Sequence, residues 1–138
     1  ALSERQRDVV IDSPPGASCP AMTAVRPADA IVLVAEATAF GLNDLKIARE
    51  AFAVLGKPMG VVVNRAGIGD SRVHDYCRAT GLPVLQDIPF DRRLAGLESA
   101  GEVALFLGQT YGGLLVDLVS ALRDLARSSN GRRIAAHA

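Results

Sequence analysis

Cysteine, histidine and lysine are each represented by only two residues in this 138-residue chain. Cys19 and Cys77 stand far apart with no Cys-x-x-Cys spacing, and His74 and His137 neighbour neither a second histidine nor a run of cysteines. These absences argue against a zinc site and a disulfide framework, and they fit a reducing, cytoplasmic setting. No apolar run approaches the ~20 residues of a membrane span, so no membrane partner is expected. A charged segment followed by an apolar one near the start is also missing, which argues against a signal peptide. Neither sign of charge is in excess, since 15 basic residues balance 15 acidic ones. Without a basic surplus, nucleic acid is not expected as a main partner. Internal repeats and low-complexity segments are absent as well.

What is present reads as one folded domain. The hydrophobic fraction is 49% and the charged fraction 22%, which is globular composition. Three short apolar runs stand out: Asp8-Val9-Val10-Ile11-Asp12, Ile31-Val32-Leu33-Val34-Ala35, and Met59-Gly60-Val61-Val62-Val63-Asn64. Their continuous, β-branched character is that of strands covered on both faces of a parallel sheet. A weaker fourth strand is Pro83-Val84-Leu85-Gln86. Helical patterns fill the gaps: residues 17–27, Asn43 to Leu55, a helix capped by Ser71 and running to Ala79, and a short one capped by Asp91. The last helix carries Leu114, Leu115, Leu118, Val119, Leu122 and Leu125 as one stripe, with Asp117, Arg123, Asp124 and Arg127 facing away. The segment from residue 129 to 138 shows no pattern and is expected to be a flexible tail. The order β-α-β-α-β-α-β-α-α predicts an α/β fold with a mostly parallel sheet over residues 1–128.

In open parallel sheets, ligands bind beyond the carboxyl ends of the strands. Those ends carry Asp12-Ser13-Pro14-Pro15-Gly16, Glu36-Ala37-Thr38, Asn64-Arg65-Ala66-Gly67 and Ile88-Pro89-Phe90-Asp91. Asp12 at the end of a buried strand is a costly unpaired carboxylate, which a nearby Mg²⁺ would offset. Gly16 after two prolines gives a stiff turn without a Cβ, through which a backbone N–H can approach a phosphate. Asn64 offers a donor and an acceptor on one amide, the pair needed to read a base edge. Each feature also suits an ordinary strand-to-helix turn. His74, beside Asp75 on a polar helix, is read as solvated, and no serine has a matching histidine for a hydrolase triad.

The ordered set of motifs resembles the MinD/ParA/Mrp-type P-loop ATPases, of the CobQ/CobB/MinD/ParA group. Asp8 to Gly16 looks like the second half of their nucleotide site. Gly16-Ala-Ser-Cys-Pro20 and Ala28 to Leu45 resemble the subgroup that carries an inserted ferredoxin domain, and Gly60 to Arg65 and Ile88 to Asp91 continue the match. The resemblance covers residues 8 to about 102. It implies a doubly wound P-loop fold that binds Mg·ATP and couples its hydrolysis to a conformational change, linked to iron–sulfur or electron-transfer chemistry. It further implies that Asp12 holds Mg²⁺ through water and that Gly16 senses the γ-phosphate. Asn64 would contact adenine, Pro89 and Phe90 would lie near the base, and Asp91 near the ribose. A homodimer or another protein partner belongs to the same expectation.

Two departures matter. Ala37 and Ala39 stand where the family usually has proline. More important, no phosphate loop is present. That loop needs clustered glycines followed by Lys and Ser/Thr at a helix start. Lys46 falls inside a helix, and Lys57 precedes Pro58 with no Ser or Thr after it. The chain therefore reads as the carboxy-terminal half of such a domain, without the phosphate-loop strand and inactive alone. Any iron–sulfur insert would lie ahead of Ala1, because no run of cysteines is available here. Three alternatives stand beside this reading: a non-catalytic interaction module of the same fold, a ParA-type partitioning ATPase, and an ATP-dependent cobyrinate-type amide synthase.

Overall fold

The computed structural model describes residues 8–97 and 102–135. Eight elements follow in order: α1 (Cys19–Val25), β1 (Ile31–Glu36), α2 (Ala39–Ala53), β2 (Met59–Ala66), α3 (Arg72–Thr80), β3 (Val84–Pro89), α4 (Arg92–Leu97) and α5 (Val103–Ala135). The fold is α/β, with a parallel three-stranded sheet in the order β1-β2-β3.

The starts of α1 and α2 have a local cause. Ser18 caps α1 by accepting from the Ala21 N–H, and Pro20 occupies the first turn, where its missing N–H costs nothing. Thr38 caps α2 through the Gly41 N–H at 3.0 Å, so this helix begins at Ala39, four residues before the start expected from the sequence. Ser71 does not cap α3 as expected. Its hydroxyl donates to Asp75 at 2.9 Å instead. Gly81 ends α3 in the left-handed region, with φ 67°, as a C-terminal glycine does.

The core lies on one face of the sheet. Ile31, Leu33 and Ala35 of β1 and Val61 and Val63 of β2 alternate onto that face. They meet Ala21 and Val25 of α1, Leu45 and Phe52 of α2, and Val73 and Cys77 of α3. Only β2 is covered on both sides, and Gly60 to Val63 are all buried. β1 alternates buried and exposed, with Val34 66% exposed on the outer face, so its apolar run is covered on one face only. β3 pairs with β2 and also contacts α5.

The strand expected at Asp8 to Asp12 does not form. Residues 8–14 take no regular structure, and Val9 and Val10 are 81% and 89% exposed. A strand needs a neighbour to accept its ladder of hydrogen bonds, and no strand among the described residues pairs with this segment. Its one anchor to the last helix is Asp8, which accepts from Arg123 at 2.6 Å. The described sheet therefore has three strands rather than four.

α5 begins at Val103, well before the leucine stripe, and continues to Ala135. Its stretch Val103–Ser128 is long and apolar enough to cross a membrane by length and composition, with a mean hydropathy of 1.4. Asp117, Arg123, Asp124 and Arg127 fall within it.

Candidate functional site

The register of β1 on β2 sets Glu36 beside Asn64, so two of the expected strand ends are direct neighbours. The β2–β3 ladder is irregular between Val63 and Ala66. Two residues of β2, Asn64 and Arg65, oppose the single residue Ile88 between Asp87 and Pro89. Such a bulge re-aims side chains at a strand end. Arg65 accommodates it at φ 56°, and it is the one non-glycine residue with positive φ among those described. A side chain held there costs of order 1 kcal/mol and persists because its surroundings fix it.

Three contacts fix Arg65. Its backbone N–H donates to the Asn64 Oδ1 at 2.9 Å. Its guanidinium donates through Nη1 to the Glu36 Oε1 at 3.2 Å, joining β1 to β2. The same guanidinium lies 5.2 Å from the centroid of the Phe90 ring. Phe90 is tied to the bulge from its own side, since its N–H donates to the Ala66 carbonyl at 3.0 Å. Glu36, Asn64, Arg65 and Phe90 thus form one ridge at the carboxyl ends of all three strands. The half-buried Asn64 amide spends one oxygen lone pair on Arg65, and its Nδ2 has no acceptor among the described residues.

The loop after β2 is laid on the turn after β1. Asp70 donates its N–H to the Ala37 carbonyl at 3.0 Å. A Cβ at Gly69 would overlap that carbonyl, and a Cβ at Gly41 would overlap the Glu36 carbonyl. Glycine at these two positions is what lets the loop and the start of α2 approach so closely. In this turn Ala37 is buried and its carbonyl is engaged.

Asp91 sits one residue beyond Phe90 with a side chain 11% exposed. Arg93 grips it from Nη2 at 2.7 Å, and the Tyr111 hydroxyl of α5 donates at 2.7 Å. The Arg93 backbone N–H adds a capping bond at 2.9 Å. These partners, Arg93 first, hold the Asp91 carboxyl well below the usual carboxylate range, and the same bond pushes the Tyr111 phenol up. Asp91 therefore caps α4 as expected and ties α4 to α5. A ribose hydroxyl would have to compete with these bonds.

Asp12 and Gly16 do not join this ridge through any hydrogen bond or ion pair among the described residues. Asp12 is exposed on the unpaired segment rather than at the end of a buried strand. The burial cost that called for a metal is thus not incurred. Gly16 does take the turn conformation read from its context, with φ 78° and open space around it.

The residues present fit ATP unevenly. Asn64, Arg65 and Phe90 suit a base, whereas nothing in the sequence cradles a triphosphate. For Mg²⁺ the expected ligand Asp12 stands apart from the ridge, and no cluster of three acidic, histidine or cysteine residues occurs among the described residues. Cys19 is exposed on α1 and Cys77 is buried in the core, where burial raises its thiol pKa, so they make no cluster-binding set.

Sequence reasoning missed three features. Arg65 was legible only as part of a turn, although an Asn-x-x-Gly stretch after a strand signals unusual backbone angles. Tyr111 carried no signal. His74 is not free in solvent but contacts Asp87 of β3 at 2.9 Å. A shallow groove lined by Lys46, Arg49, Glu50, Ala53, Met59 and Tyr76 lies by the amino end of β2, remote from the ridge, with both cations stacked on Tyr76.

No protein-family model and no solved structure matches the chain. It is similar to an uncharacterized protein of Methanocaldococcus jannaschii, with 29% identity over 101 residues. That match covers 73% of this chain and 34% of the relative, so the chain spans about a third of the protein it matches.

Proposed function

We propose that this chain is the base-binding half of a MinD/ParA-like Mg·ATPase. The observation that carries the reading is the ridge of Glu36, Asn64, Arg65 and Phe90 at the carboxyl ends of parallel strands. A bulge places it, a left-handed arginine locks it, and a half-buried amide is left with a free donor. In this reading Asn64 donates to a ring nitrogen of adenine, and Arg65 and Phe90 pack on the base. Pro89 borders that pocket, and Asp91 positions α4 and borders the ribose.

Strand order supports the same picture. β1, β2 and β3 run in one direction with no reversal, and β1 has no second strand beside it among the described residues. Ligand crevices open where strand order reverses. The crevice then lies beyond β1 and is completed by a strand and phosphate loop from polypeptide outside these 138 residues. Asp12 comes to the metal only when that strand is in place. The output in a cytoplasmic parent is a conformational change, coupled to iron–sulfur or electron-transfer chemistry by the resemblance alone.

A fusion supplying a Gly-rich Lys-Ser/Thr strand and helix ahead of Asp8 is the test. It is expected to hydrolyse Mg·ATP while the 138-residue chain does not, because the phosphate cradle is the main electrostatic contribution in this chemistry. Asp12→Ala in the fusion should impair turnover more than binding. Asn64→Ala should weaken ATP binding by ~1–3 kcal/mol and relax the preference over GTP. Turnover by the 138-residue chain that survives repurification and disappears in Asp12→Ala would overturn the reading of an incomplete site. The second reading, a non-catalytic module, is favoured by Asp12 standing exposed and unpartnered. A fusion that binds no nucleotide would select it.

A further inference from the structure

We infer that α5 pairs with α5 of a second copy of this chain, antiparallel, through its outer face. This inference does not rest on the nucleotide reading. The inner face of α5 lies against β3 and α4. The outer face carries Leu105, Gln109, Gly112, Val116, Val119 and Arg123, spaced by alternating steps of four and three, the spacing of one straight helical stripe. Leu105 is 65% exposed, Val116 68% and Val119 41%. These are large apolar side chains left in water on one line, which is how an unpartnered helix face looks.

The stripe is complementary to a second copy of itself. A two-fold axis passing between Gly112 and Gly113 makes Glu102, the residue just ahead of α5, and Arg123 equidistant from the crossing point, each ~16 Å away at the helical rise. Glu102 of one copy then meets Arg123 of the other, twice per dimer. The same axis sets Leu105, ~11 Å from the crossing, against Val119 of the second copy, ~10 Å from it. The crossing itself falls on two glycines, where a Cβ would find nothing within 4 Å in the single chain, so two backbones can approach closely. Arg123 gives Nε and Nη2 to Asp8 of its own chain, and Nη1 is left for the second carboxylate.

A lipid bilayer fits this helix less well. Asp117 lies close to the midpoint of the apolar stretch Val103–Ser128, and Arg123 and Asp124 follow. A carboxylate at bilayer mid-depth is strongly disfavoured. Two single helix faces bury less than a standard interface, so the association is expected to vary with concentration in the micromolar range and above.

The test uses the full chain with Cys19→Ser, which removes the exposed thiol and leaves Cys77 buried. Sedimentation from 5 to 500 µM, a range set by that small interface, is expected to show a monomer–dimer equilibrium. Gly112→Cys should form an intermolecular disulfide under mild oxidation, while Thr110→Cys, on another face, should not. Gly112→Leu should give monomer throughout the range without lowering the melting temperature, since the single chain has open space there. Glu102→Arg should weaken dimerisation about tenfold, and adding Arg123→Glu should restore it. A chain that is monomeric at 500 µM, a dimer that survives Gly112→Leu, or partition into phosphatidylcholine–phosphatidylglycerol vesicles in place of self-association would each overturn the inference.

Discussion

Arg65 allows a direct test of how the ridge is held. Two opposing contributions meet at this residue. Its left-handed backbone, φ 56°, disfavours any side chain with a Cβ. Its guanidinium adds a surface ion pair with Glu36, both side chains 48% exposed, and a cation–π contact with Phe90. The ion pair contributes ~0–1 kcal/mol at such exposure, and the ring contact ~0.5–1 kcal/mol. Arg65→Ala keeps the unfavourable backbone angle and loses both contacts, so it should destabilise by about 1 kcal/mol. Arg65→Gly loses the same contacts but relieves the backbone, which is favourable by ~1 kcal/mol at a positive φ even after the extra unfolded-state entropy of glycine. Glycine should therefore be more stable than alanine here by ~1 kcal/mol and close to the parent. For a chain of this length that difference is a melting shift of roughly 3–5 °C. Thermal or urea unfolding followed by circular dichroism reads it. If Arg65→Gly is less stable than Arg65→Ala, the left-handed conformation is not present in solution and the bulge argument fails.

Gly69→Ala should cost ~2 kcal/mol or more, because its methyl overlaps the Ala37 carbonyl backbone, which cannot swing aside as a side chain would. A urea midpoint unchanged from the parent would refute the close contact between the two loops. Asp91 gives a pH-dependent prediction. Its folded pKa is depressed, chiefly by Arg93 and then by Tyr111, so its stabilisation is complete above its unfolded value of ~3.9 and is lost as pH falls below that value. Asp91→Asn should therefore differ from the parent in stability at pH 6 and progressively less between pH 4 and 2. A difference that stays constant over that range would count against the pairing.

Much of the sheet could be read from the chain because β1 and β2 contain continuous apolar runs rich in β-branched residues and ended by turn residues. What could not be read was which faces are covered. Val32 and Val34 look like two-sided burial in sequence, yet β1 lies at an edge and only Ile31, Leu33 and Ala35 reach the core. The site residues separate in the same way. Asn64 and Phe90 are brought together because they end adjacent strands, which topology alone dictates. The hydrogen bond that commits the Asn64 oxygen depends on one backbone angle at Arg65, and no composition or periodicity encodes that. His74 and Tyr111 find their partners 13 and 20 residues away, so nothing in their local sequence marks them. The early start of α5 was hidden because Gly108, Gly112 and Gly113 read as helix-breaking, while burial of the neighbouring Tyr111 and Leu114 faces overrides that preference.

The segment from Asp8 to Asp12 carries both the expected strand and, on the proposed reading, the metal ligand. Fixing five residues as a strand costs ~5–10 kcal/mol of conformational entropy, at ~1–2 kcal/mol each. Burying Val9, Val10, Ile11 and the outer side of Val34 returns ~6–8 kcal/mol, at the lower end of the range for a large aliphatic side chain. The two nearly cancel, so side-chain burial alone does not order the segment, and the exposed valines are the result. A neighbouring strand changes the balance by giving the segment and the open edge of β1 their missing backbone hydrogen bonds, each a further net ~0.5–1.5 kcal/mol. Asp12 is the last residue of that segment and has no other anchor. On the proposed Mg·ATPase reading, its carboxylate would be positioned for a metal only by the event that orders Val9 to Ile11, and ordering the segment would then couple assembly of the sheet to assembly of the site.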